Sequence, residues 1–170
     1  MTAASADGLV VRPVGRVRGG RTDRDDSDHW VDVICEIVVD AERFGPGAFT
    51  GLDGFPHVEV VFVFDQAVER SDYTVTRPAR GRPDLPPVGV FADRGPRRPN
   101  RIGTTMCEIL DVEGNRLRVR GLDALDGSPV LDLKPVMHQF LPSDVRQPGW
   151  VADLMNRYHA RTGCADLPAR

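Results

Sequence analysis

The order of apolar and polar residues along the chain predicts mainly β-strands. From Trp30 to Val39, apolar side chains alternate with polar ones, which is the pattern of a strand with one buried face. Other apolar runs are bounded by glycine, proline or aspartate, as strands commonly are. These runs cover residues 9–17, 57–64, 88–92, 102–112, 116–120 and 129–133. The sequence therefore predicts short strands separated by turns.

Details within three of these runs refine the prediction. Pro13 interrupts the first run, so this strand is expected to be irregular or to lie at an edge. Gly114 and Asn115 predict a hairpin turn between the two strands that flank them. The run at 57–64 is almost continuously apolar, which predicts a central strand packed on both faces or against a dimer partner.

Helical spacing is found near the C-terminus. Between residues 150 and 160 the apolar side chains recur three and four positions apart, which predicts a helix packed through one face. The segment 41–49 has room only for a short helical turn, because a Gly-Pro-Gly sequence interrupts it.

Long loops complete the expected fold. Prolines recur through residues 65–87, and a second loop at 142–148 precedes the predicted helix. A chain of 170 residues is long enough to form one domain with its own core. We expect a single domain over residues 1–170, an all-β, mainly antiparallel barrel or sandwich. Its C-terminal loop and helix are expected at 142–160.

The identity of the charged residues is more informative than the net charge of the chain. The net charge of -3 and the isoelectric point near 5.8 argue against a broad nucleic-acid-binding surface. Of the 22 basic residues only Lys134 is a lysine, so arginine supplies nearly all of the positive charge. A local arginine patch can still bind a phosphate or a carboxylate.

The segment 93–103 concentrates arginines among residues that shape a backbone. The arginines are Arg94, Arg97, Arg98 and Arg101. Pro96 and Pro99 fix φ, so we expect a shaped loop. Two interpretations stay open, a ligand-binding loop and a solvated connection in an arginine-rich protein. Strand 116–120, which has three arginines on one face, likewise predicts either a solvated face or a stripe that contacts phosphates.

Three sequence blocks resemble the motifs of one known family. The block at 89–103 reads G-V-F-A-D-R-G-P-R-R-P-N-R-I-G, and that at 121–135 reads G-L-D-A-L-D-G-S-P-V-L-D-L-K-P. A weaker block at 51–57 reads G-L-D-G-F-P-H. The residues of these blocks, and the order of the blocks along the chain, are similar to the motifs of the TrmO/TsaA-like family. Together the three blocks span residues 50–136.

This resemblance implies a single TsaA-like β-barrel that uses S-adenosyl-L-methionine (SAM) and forms a homodimer. It implies methylation at N6 of a threonylcarbamoyl-modified adenosine beside the tRNA anticodon. By the same resemblance, cofactor contacts are expected from Phe64, Asp65, Arg94, Thr104, Leu122, Asp123, Ala124 and Leu125. Residues expected to face the methyl acceptor are Arg97, Arg98, Asn100, Arg101 and Lys134. No residue is assigned as a catalytic base.

Some of these residues have a structural alternative. Arg94 is also expected to be able to pair with Asp93 or Asp126. Lys134 either faces the acceptor or orders the neighbouring turn, and for Asp126 the structural role is favoured.

Two departures from the family pattern bear on the substrate. A P-R-Q-P-G segment that touches SAM near the N-terminus of the family is replaced here by the charged loop 19–29. A similar sequence at 145–149 means that Arg146 and Gln147 either supply the missing cofactor contact or match by coincidence. Arg101 stands where the family usually has proline, which adds charge and is expected to loosen the loop. Both departures weaken the inference to tRNA more than the inference to SAM.

Other classes of protein are disfavoured. No metal site is expected, because the histidines lack ligand spacing; they are His29, His57, His138 and His159. A Rossmann-type methyltransferase is disfavoured by the absence of a G-x-G-x-x-G motif. Buried free thiols are expected for Cys35, Cys107 and Cys164. No apolar run approaches the roughly 20 residues needed to cross a bilayer, so a cytoplasmic location is expected.

The expected function is therefore SAM-dependent methyl transfer to a nitrogen, with a modified tRNA adenosine as the first candidate for the acceptor. A small nitrogenous molecule is the alternative acceptor. A non-catalytic RNA-binding or nucleotide-binding β-barrel is a further alternative, which the acidic balance of the chain disfavours.

Overall fold

A computed structural model describes residues 8–24, 30–67 and 74–158 of the chain. Within these ranges six strands form the main sheet: β1 (Gly15–Arg18), β2 (Ile34–Val39), β3 (His57–Val63), β6 (Ile102–Glu113), β7 (Arg116–Arg120) and β8 (Pro129–Pro135). They close into a barrel in the order β1-β2-β7-β6-β3-β8, and neighbouring strands are antiparallel. Strands β4 (Thr76–Pro78) and β5 (Pro87–Gly89) pair with each other outside the barrel. The predicted all-β fold is confirmed, in its barrel form.

The helices are few and short. The described helices are α1 (Ala41–Phe44) and α2 (Gly149–Tyr158). Single turns of 3-10 helix occur at Leu52–Gly54, Ala79–Gly81, Val90–Ala92 and His138–Phe140. The C-terminal helix is confirmed through residue 158, and the last two residues predicted for it lie outside the described ranges. None of the described helices is long and apolar enough to span a membrane.

The core lies inside the barrel. Alternate residues of each strand point inward, so burial alternates along β2 and β3 as the period of a strand requires. Residues with less than a tenth of their surface exposed include Val17, Cys35, Ile37, Val58, Val60, Phe62, Cys107, Leu117, Val119 and Val130. Closure leaves the barrel without the unpaired edges that an open sheet exposes.

Strand β6 turns a corner of the barrel. Its first half pairs with β3, from Ile102 opposite Val63 to Glu108 opposite His57. Its second half pairs with β7, and the register shifts between Ile109 and Asp111. Such a shift bends a strand, which allows one long strand to pair with two neighbouring strands.

Connections of the barrel gather at its two ends. β3 ends where β6 and β8 begin, so three segments meet there: Phe64–Asp65, the loop 93–101 and the turn 122–128. We call this the loop end. The opposite end is covered by α1 and the segment after it. A cavity of about 360 Å³ lies there, lined mainly by apolar side chains that include Phe44, Phe49, Leu52 and Phe55.

Three strand boundaries need correction. The strand predicted from Trp30 begins only at Ile34, because the Val33 N–H donates to the Trp30 carbonyl at 3.1 Å and closes a turn. The strand predicted at 9–17 begins only at Gly15, because Pro13 supplies no N–H for a ladder. The strand predicted at 88–92 ends at Gly89 and continues as a 3-10 turn. Strand β3 was predicted to be packed on both faces or against a dimer partner. Within this chain its inward residues are buried, and its outward residues are half-buried or exposed, so the second alternative stays a prediction.

Candidate functional site

The segment after β3 and the turn before β8 are joined by a hydrogen bond. The Ser128 hydroxyl donates to Asp65 Oδ1 at 3.1 Å, and Ser128 is 2% exposed. The Phe64 N–H donates to the Arg101 carbonyl at 2.8 Å, which ties the same segment to the arginine loop. Two of the predicted cofactor-binding segments are thus held next to each other.

Arg94 and Thr104, both predicted to contact the cofactor, are in direct contact. Arg94 Nη2 donates to the Thr104 carbonyl at 2.8 Å and to its Oγ1 at 3.0 Å. The alternative pairing of Arg94 with Asp93 or Asp126 is not what the structure shows. Asp93 pairs with Arg77 at 3.2 Å, and both side chains are less than a fifth exposed. The exposed Arg94 guanidinium is therefore held by neutral groups.

Asp93 organises the arginine loop from within. Its Oδ1 accepts from the Gly95 N–H at 3.0 Å, and its carbonyl accepts from Arg98 Nη1 at 3.1 Å. The loop is therefore shaped by its own hydrogen bonds, as predicted.

The expectation that Arg101 loosens this loop is wrong. Arg101 has φ 51°, in the left-handed region that proline cannot adopt. Its N–H donates to the Arg98 carbonyl at 3.1 Å, and its Nη1 donates to the Ala67 carbonyl at 3.4 Å. Arg101 therefore fastens the loop on both sides.

The turn 122–128 is anchored by its apolar side chains. Leu122 is 1% exposed and Ala124 is 3% exposed. The Ser128 N–H donates to the Leu125 carbonyl at 3.1 Å, with Gly127 between them at φ 83°. Burial of these side chains and this hydrogen bond fix the backbone of the turn.

The described beginning of the charged loop, residues 19–21, docks on this turn, which the sequence did not predict. Arg21 and Leu125 form a parallel bridge, and the Asp126 N–H donates to the Arg21 carbonyl at 2.7 Å. Asp126 Oδ1 accepts from the Gly19 N–H at 2.8 Å, so the favoured structural role of Asp126 is confirmed. The segment that departs from the family pattern thus remains part of the site.

An ion pair joins the same two segments. The Arg21 guanidinium pairs with the Asp123 carboxylate; the side chains are 11% and 34% exposed. Burial raises the pKa of the Asp123 carboxyl, and the charges of Arg21, Arg80 and Arg94 oppose that increase. Arg21 and Arg80 were missed in the sequence. The feature of the sequence that could have indicated these two arginines is the glycine next to each of them, Gly20 and Gly81.

Five predicted residues lie apart from this cluster. Lys134 pairs with Asp132 on the outer face of β8, opposite Glu59, which favours its structural alternative. Arg146 and Gln147 are exposed in the loop before α2, and neither forms an ion pair or hydrogen bond with another described residue in the structure. Arg97 is exposed at the tip of the arginine loop, as is Asn100.

The arginines on strand β7 form a solvated face. Arg116 pairs with Glu36 at 2.9 Å, and Arg120 pairs with Glu108 at 2.7 Å. All four side chains are more than a third exposed. Because acidic neighbours balance these charges, the structure favours a solvated face over a phosphate-contacting stripe.

The described residues give little support for a nucleophilic cysteine or for a metal site. Burial, with a smaller effect from Glu36, raises the pKa of Cys35 to about 11. Burial likewise raises the pKa of Cys107. Protonated, buried thiols are poor nucleophiles. No group of three or more histidine, cysteine or acidic side chains suited to a metal ion occurs among the described residues.

The fold and the loop end define a small antiparallel β-barrel with one arginine-rich site built from loops. The family model for the tRNA-methyltransferase O N-terminal domain matches residues 25–140 of the chain. The chain belongs to this family.

Relatives agree with that placement. An S-adenosyl-L-methionine-binding protein of Archaeoglobus fulgidus is 36% identical over 129 residues, covering 74% of this chain and 88% of that protein. The human tRNA (adenine(37)-N6)-methyltransferase is 36% identical over 64% of this chain and 24% of its own length. A crystal structure of TrmO from Pseudomonas aeruginosa superposes with a TM-score of 0.67 at 28% identity, covering 84% of this chain and 62% of that one. The chain thus spans less than two thirds of the solved structure.

Proposed function

We propose that this protein is a SAM-dependent methyltransferase whose cofactor binds at the loop end of the barrel. The observation that carries the proposal is the convergence there of Phe64–Asp65, Arg94–Thr104 and the turn 122–125. These segments are distant in sequence, and the resemblance assigns each of them to the cofactor. Family membership and the SAM-binding archaeal relative support the same conclusion.

The groups at the loop end suit the chemical parts of SAM. The half-buried Phe64 ring offers an apolar surface for the adenine, and the peptide groups of the turn 122–125 offer hydrogen bonds to its edge. Arg94 suits the carboxylate of the cofactor, and Asp65 and Asp123 suit its hydroxyl and ammonium groups. When bound, the cofactor supplies an activated methyl group.

The residues of the chain mainly have to position the acceptor. Methyl transfer requires the attacking nitrogen to be aligned with the methyl group, so fixed loops contribute through orientation. A nitrogen that gains a methyl group must also release a proton. Asp65 and Asp123 are two carboxylates at this end to which we assign that proton.

The proposed acceptor is a modified adenosine beside the tRNA anticodon, methylated at N6. The human relative is named for methylation of adenine 37 in tRNA, which supports this choice. Arg97 and Asn100 are exposed at the tip of the arginine loop, where they are available to an RNA strand despite the net charge of -3. Such a substrate is consistent with a cytoplasmic location.

Transfer of a labelled methyl group tests the function. Total tRNA from a strain that lacks its own enzyme is incubated with labelled SAM and the protein, and the nucleosides are analysed. We expect label at N6 of the adenosine next to the anticodon, loss of transfer in Arg94→Ala and normal transfer in Arg116→Ala. Transfer to a small nitrogenous molecule instead of tRNA would identify the alternative acceptor. RNA binding without SAM binding would support the non-catalytic alternative.

We also propose that the protein is a homodimer. The resemblance implies one, and the outer face of β3 and β6 is unusually apolar for the outside of a barrel. It carries Val61, Val63, Ile102 and Met106, of which Met106 is 54% exposed. A second copy of the chain would cover this outer face.

A further inference from the structure

The segment after β3 is held between the two loops to which the proposed function assigns the cofactor. On one side, the Phe64 N–H donates to the Arg101 carbonyl of the arginine loop at 2.8 Å. On the other side, Gln66 Nε2 donates to the Asp126 carbonyl of the turn 122–128 at 3.3 Å. Asp65 lies between these two anchored residues, and its side chain is exposed. The Asp65 carboxylate is therefore presented at the loop end.

One oxygen of this carboxylate is fixed by a buried hydroxyl. Ser128 is 2% exposed, and its Oγ donates to Asp65 Oδ1 at 3.1 Å. The Ser128 backbone is fixed in turn, because its N–H donates to the Leu125 carbonyl at 3.1 Å and its carbonyl accepts from the Val17 N–H at 3.0 Å. Among the described residues, no other group donates a hydrogen bond to Asp65. Ser128 therefore orients the carboxylate and leaves Asp65 Oδ2 to a ligand.

The other aspartates of the segments that meet at the loop end have firmer partners. They bond to arginines or to the backbone: Asp93 to Arg77, Asp123 to Arg21 and Asp126 to the Gly19 N–H. A paired aspartate that takes up a proton gives up its ion pair, which leaves the arginine charge without that partner. Asp65 would give up only its interaction with a neutral hydroxyl, so it can exchange a proton with the least disruption.

Asp123 is the competing candidate, because burial raises the pKa of its carboxyl. Its carboxylate, however, is in direct contact with the Arg21 guanidinium, and the Arg21 side chain is only 11% exposed. A proton on Asp123 would take the opposite charge away from a largely buried arginine. Asp123 is therefore better suited to holding the turn than to accepting a proton.

We propose that Ser128 is a positioning residue for methyl transfer, and that its hydroxyl orients the Asp65 carboxylate to accept the proton of the attacking nitrogen. The proposal rests on the SAM-dependent methyl transfer of the proposed function. It selects one of the two carboxylates to which that proton was assigned, and it adds Ser128, which lies outside the predicted site.

The bonds and the proton balance in this step. As the acceptor nitrogen forms its bond to the methyl carbon, the carbon–sulfur bond breaks and its electron pair stays on sulfur. The N–H bond of the acceptor breaks and leaves its electron pair on nitrogen. The proton passes to Asp65, which becomes a neutral carboxylic acid and later releases the proton to water. A positioned base of this kind contributes about 10²- to 10⁴-fold to a rate.

Four variants separate a proton acceptor from a structural residue. Asp65→Asn removes the basicity but keeps an oxygen that can accept from Ser128. Asp65→Ala leaves space for a small carboxylate such as formate. Ser128→Ala removes the buried hydroxyl, and Ser128→Thr keeps a hydroxyl at the same position. Asp53→Asn changes an exposed aspartate in the 3-10 turn after α1, at the opposite end of the barrel, and serves as the control.

The test measures transfer of labelled methyl groups from SAM to tRNA from a strain that lacks its own enzyme, with kcat and KM determined separately. For Asp65→Asn we expect kcat to fall by about 10²- to 10⁴-fold while KM for tRNA stays near that of the wild type. Formate is expected to restore part of the rate of Asp65→Ala and to leave the wild-type rate unchanged. Asp53→Asn is expected to match the wild type.

The Ser128 variants test the positioning role. Ser128→Ala is expected to lower kcat by up to about 10²-fold, because the carboxylate is no longer held in place. Ser128→Thr is expected to keep most of the rate. Melting temperatures and calorimetric affinities for S-adenosylhomocysteine are expected to match the wild type in Asp65→Asn and Ser128→Ala, since Asp65 is exposed and water can replace the lost contact.

Distinct results overturn the inference and the proposed function. Wild-type kcat in Asp65→Asn would overturn the inference alone, and so would a loss of S-adenosylhomocysteine affinity in that variant, which would place Asp65 on the cofactor. Wild-type kcat in a folded Ser128→Ala would remove the positioning role of Ser128. Wild-type protein that binds S-adenosylhomocysteine but transfers no methyl group to tRNA would overturn the proposed acceptor and the inference with it. Absence of S-adenosylhomocysteine binding would remove the methyltransferase itself.

Discussion

Individual residues decide how the site is held together, and several of them give little sign of it in the sequence. Arg21 and Asp123 are 102 positions apart, and Arg21 belongs to a segment that looks like a charged loop. Local patterns carry no information about such a distant pair. The positive φ of Arg80 and of Arg101 could not be predicted from the sequence, because glycine is the residue that usually indicates this conformation. Arg94 and Thr104, by contrast, were predicted through the family motif, and the structure brings them together.

The first prediction concerns the Arg21–Asp123 ion pair. A double-mutant cycle with Arg21→Ala and Asp123→Ala is expected to give a coupling free energy of about 0.5 to 3 kcal/mol by urea unfolding. The lower part of this range is expected because Asp123 is 34% exposed, so water screens the pair. The coupling is favourable because losing one partner leaves a partly buried charge.

The Arg116–Glu36 pair is a matched control, since its side chains are 56% and 41% exposed. Its cycle is expected to give less than about 1 kcal/mol. A coupling energy indistinguishable from zero in the Arg21–Asp123 cycle would show that this pair does not fasten the N-terminal segment to the turn.

Secondary-structure elements were predicted best where side chains alternate over several residues. Strands β2, β6 and β7 follow this rule, and so does the hairpin that joins β6 to β7. Prediction was poorer where hydrogen bonding decides the boundary, as at the start of β1 and after Gly89. For β3 the apolar run left two alternatives, packing on both faces or packing against a dimer partner, because sequence does not distinguish burial inside a chain from an apolar surface.

The second prediction concerns the start of β6, where Gly103 leaves room for two aromatic rings. A Cβ at this position would lie 2.6 Å from Phe62 Cζ and 2.8 Å from Phe64 Cε2. The rings pack edge to face with centroids 4.9 Å apart. Gly103→Ala is therefore expected to lower the free energy of unfolding by about 1–3 kcal/mol. It is also expected to displace Phe64 and weaken cofactor binding.

Urea unfolding and a cofactor titration measure these two effects. Gly89→Ala is the control, because a Cβ there meets no atom within 4 Å. Cofactor binding by Gly103→Ala at wild-type affinity would argue against a role for the Phe64 ring in the site.

In the molecule as a whole, the arginines at the loop end and those on the side of the barrel have different surroundings. The chain is acidic in sum, yet Arg21 of the N-terminal segment, Arg80 of the 3-10 turn after β4 and Arg94 of the arginine loop all act on the Asp123 carboxyl at the loop end. The arginines of β7 are balanced by acidic neighbours on the side of the barrel. Net charge alone therefore says little about the distribution of charge over the molecule.

The third prediction concerns assembly. Light scattering is expected to give about twice the chain mass of 18.7 kDa. Met106→Glu, on the apolar outer face of β3 and β6, is expected to reduce the mass to that of one chain, because it places a charge in the interface. Val75→Glu changes an exposed apolar residue outside the barrel and is expected to keep the dimer. A wild-type mass near 18.7 kDa would contradict the homodimer.

Calorimetry with S-adenosylhomocysteine tests most directly whether the loop end is a cofactor site. We expect saturable binding by the wild type, and affinity lower by about tenfold or more in Arg94→Ala, since a hydrogen bond to a charged group contributes about 1.5–3 kcal/mol. Arg97→Ala removes the same kind of side chain from the tip of the same loop and is expected to bind as the wild type does. No heat from the wild type at millimolar ligand, or equal affinities for wild type and Arg94→Ala, would contradict the account.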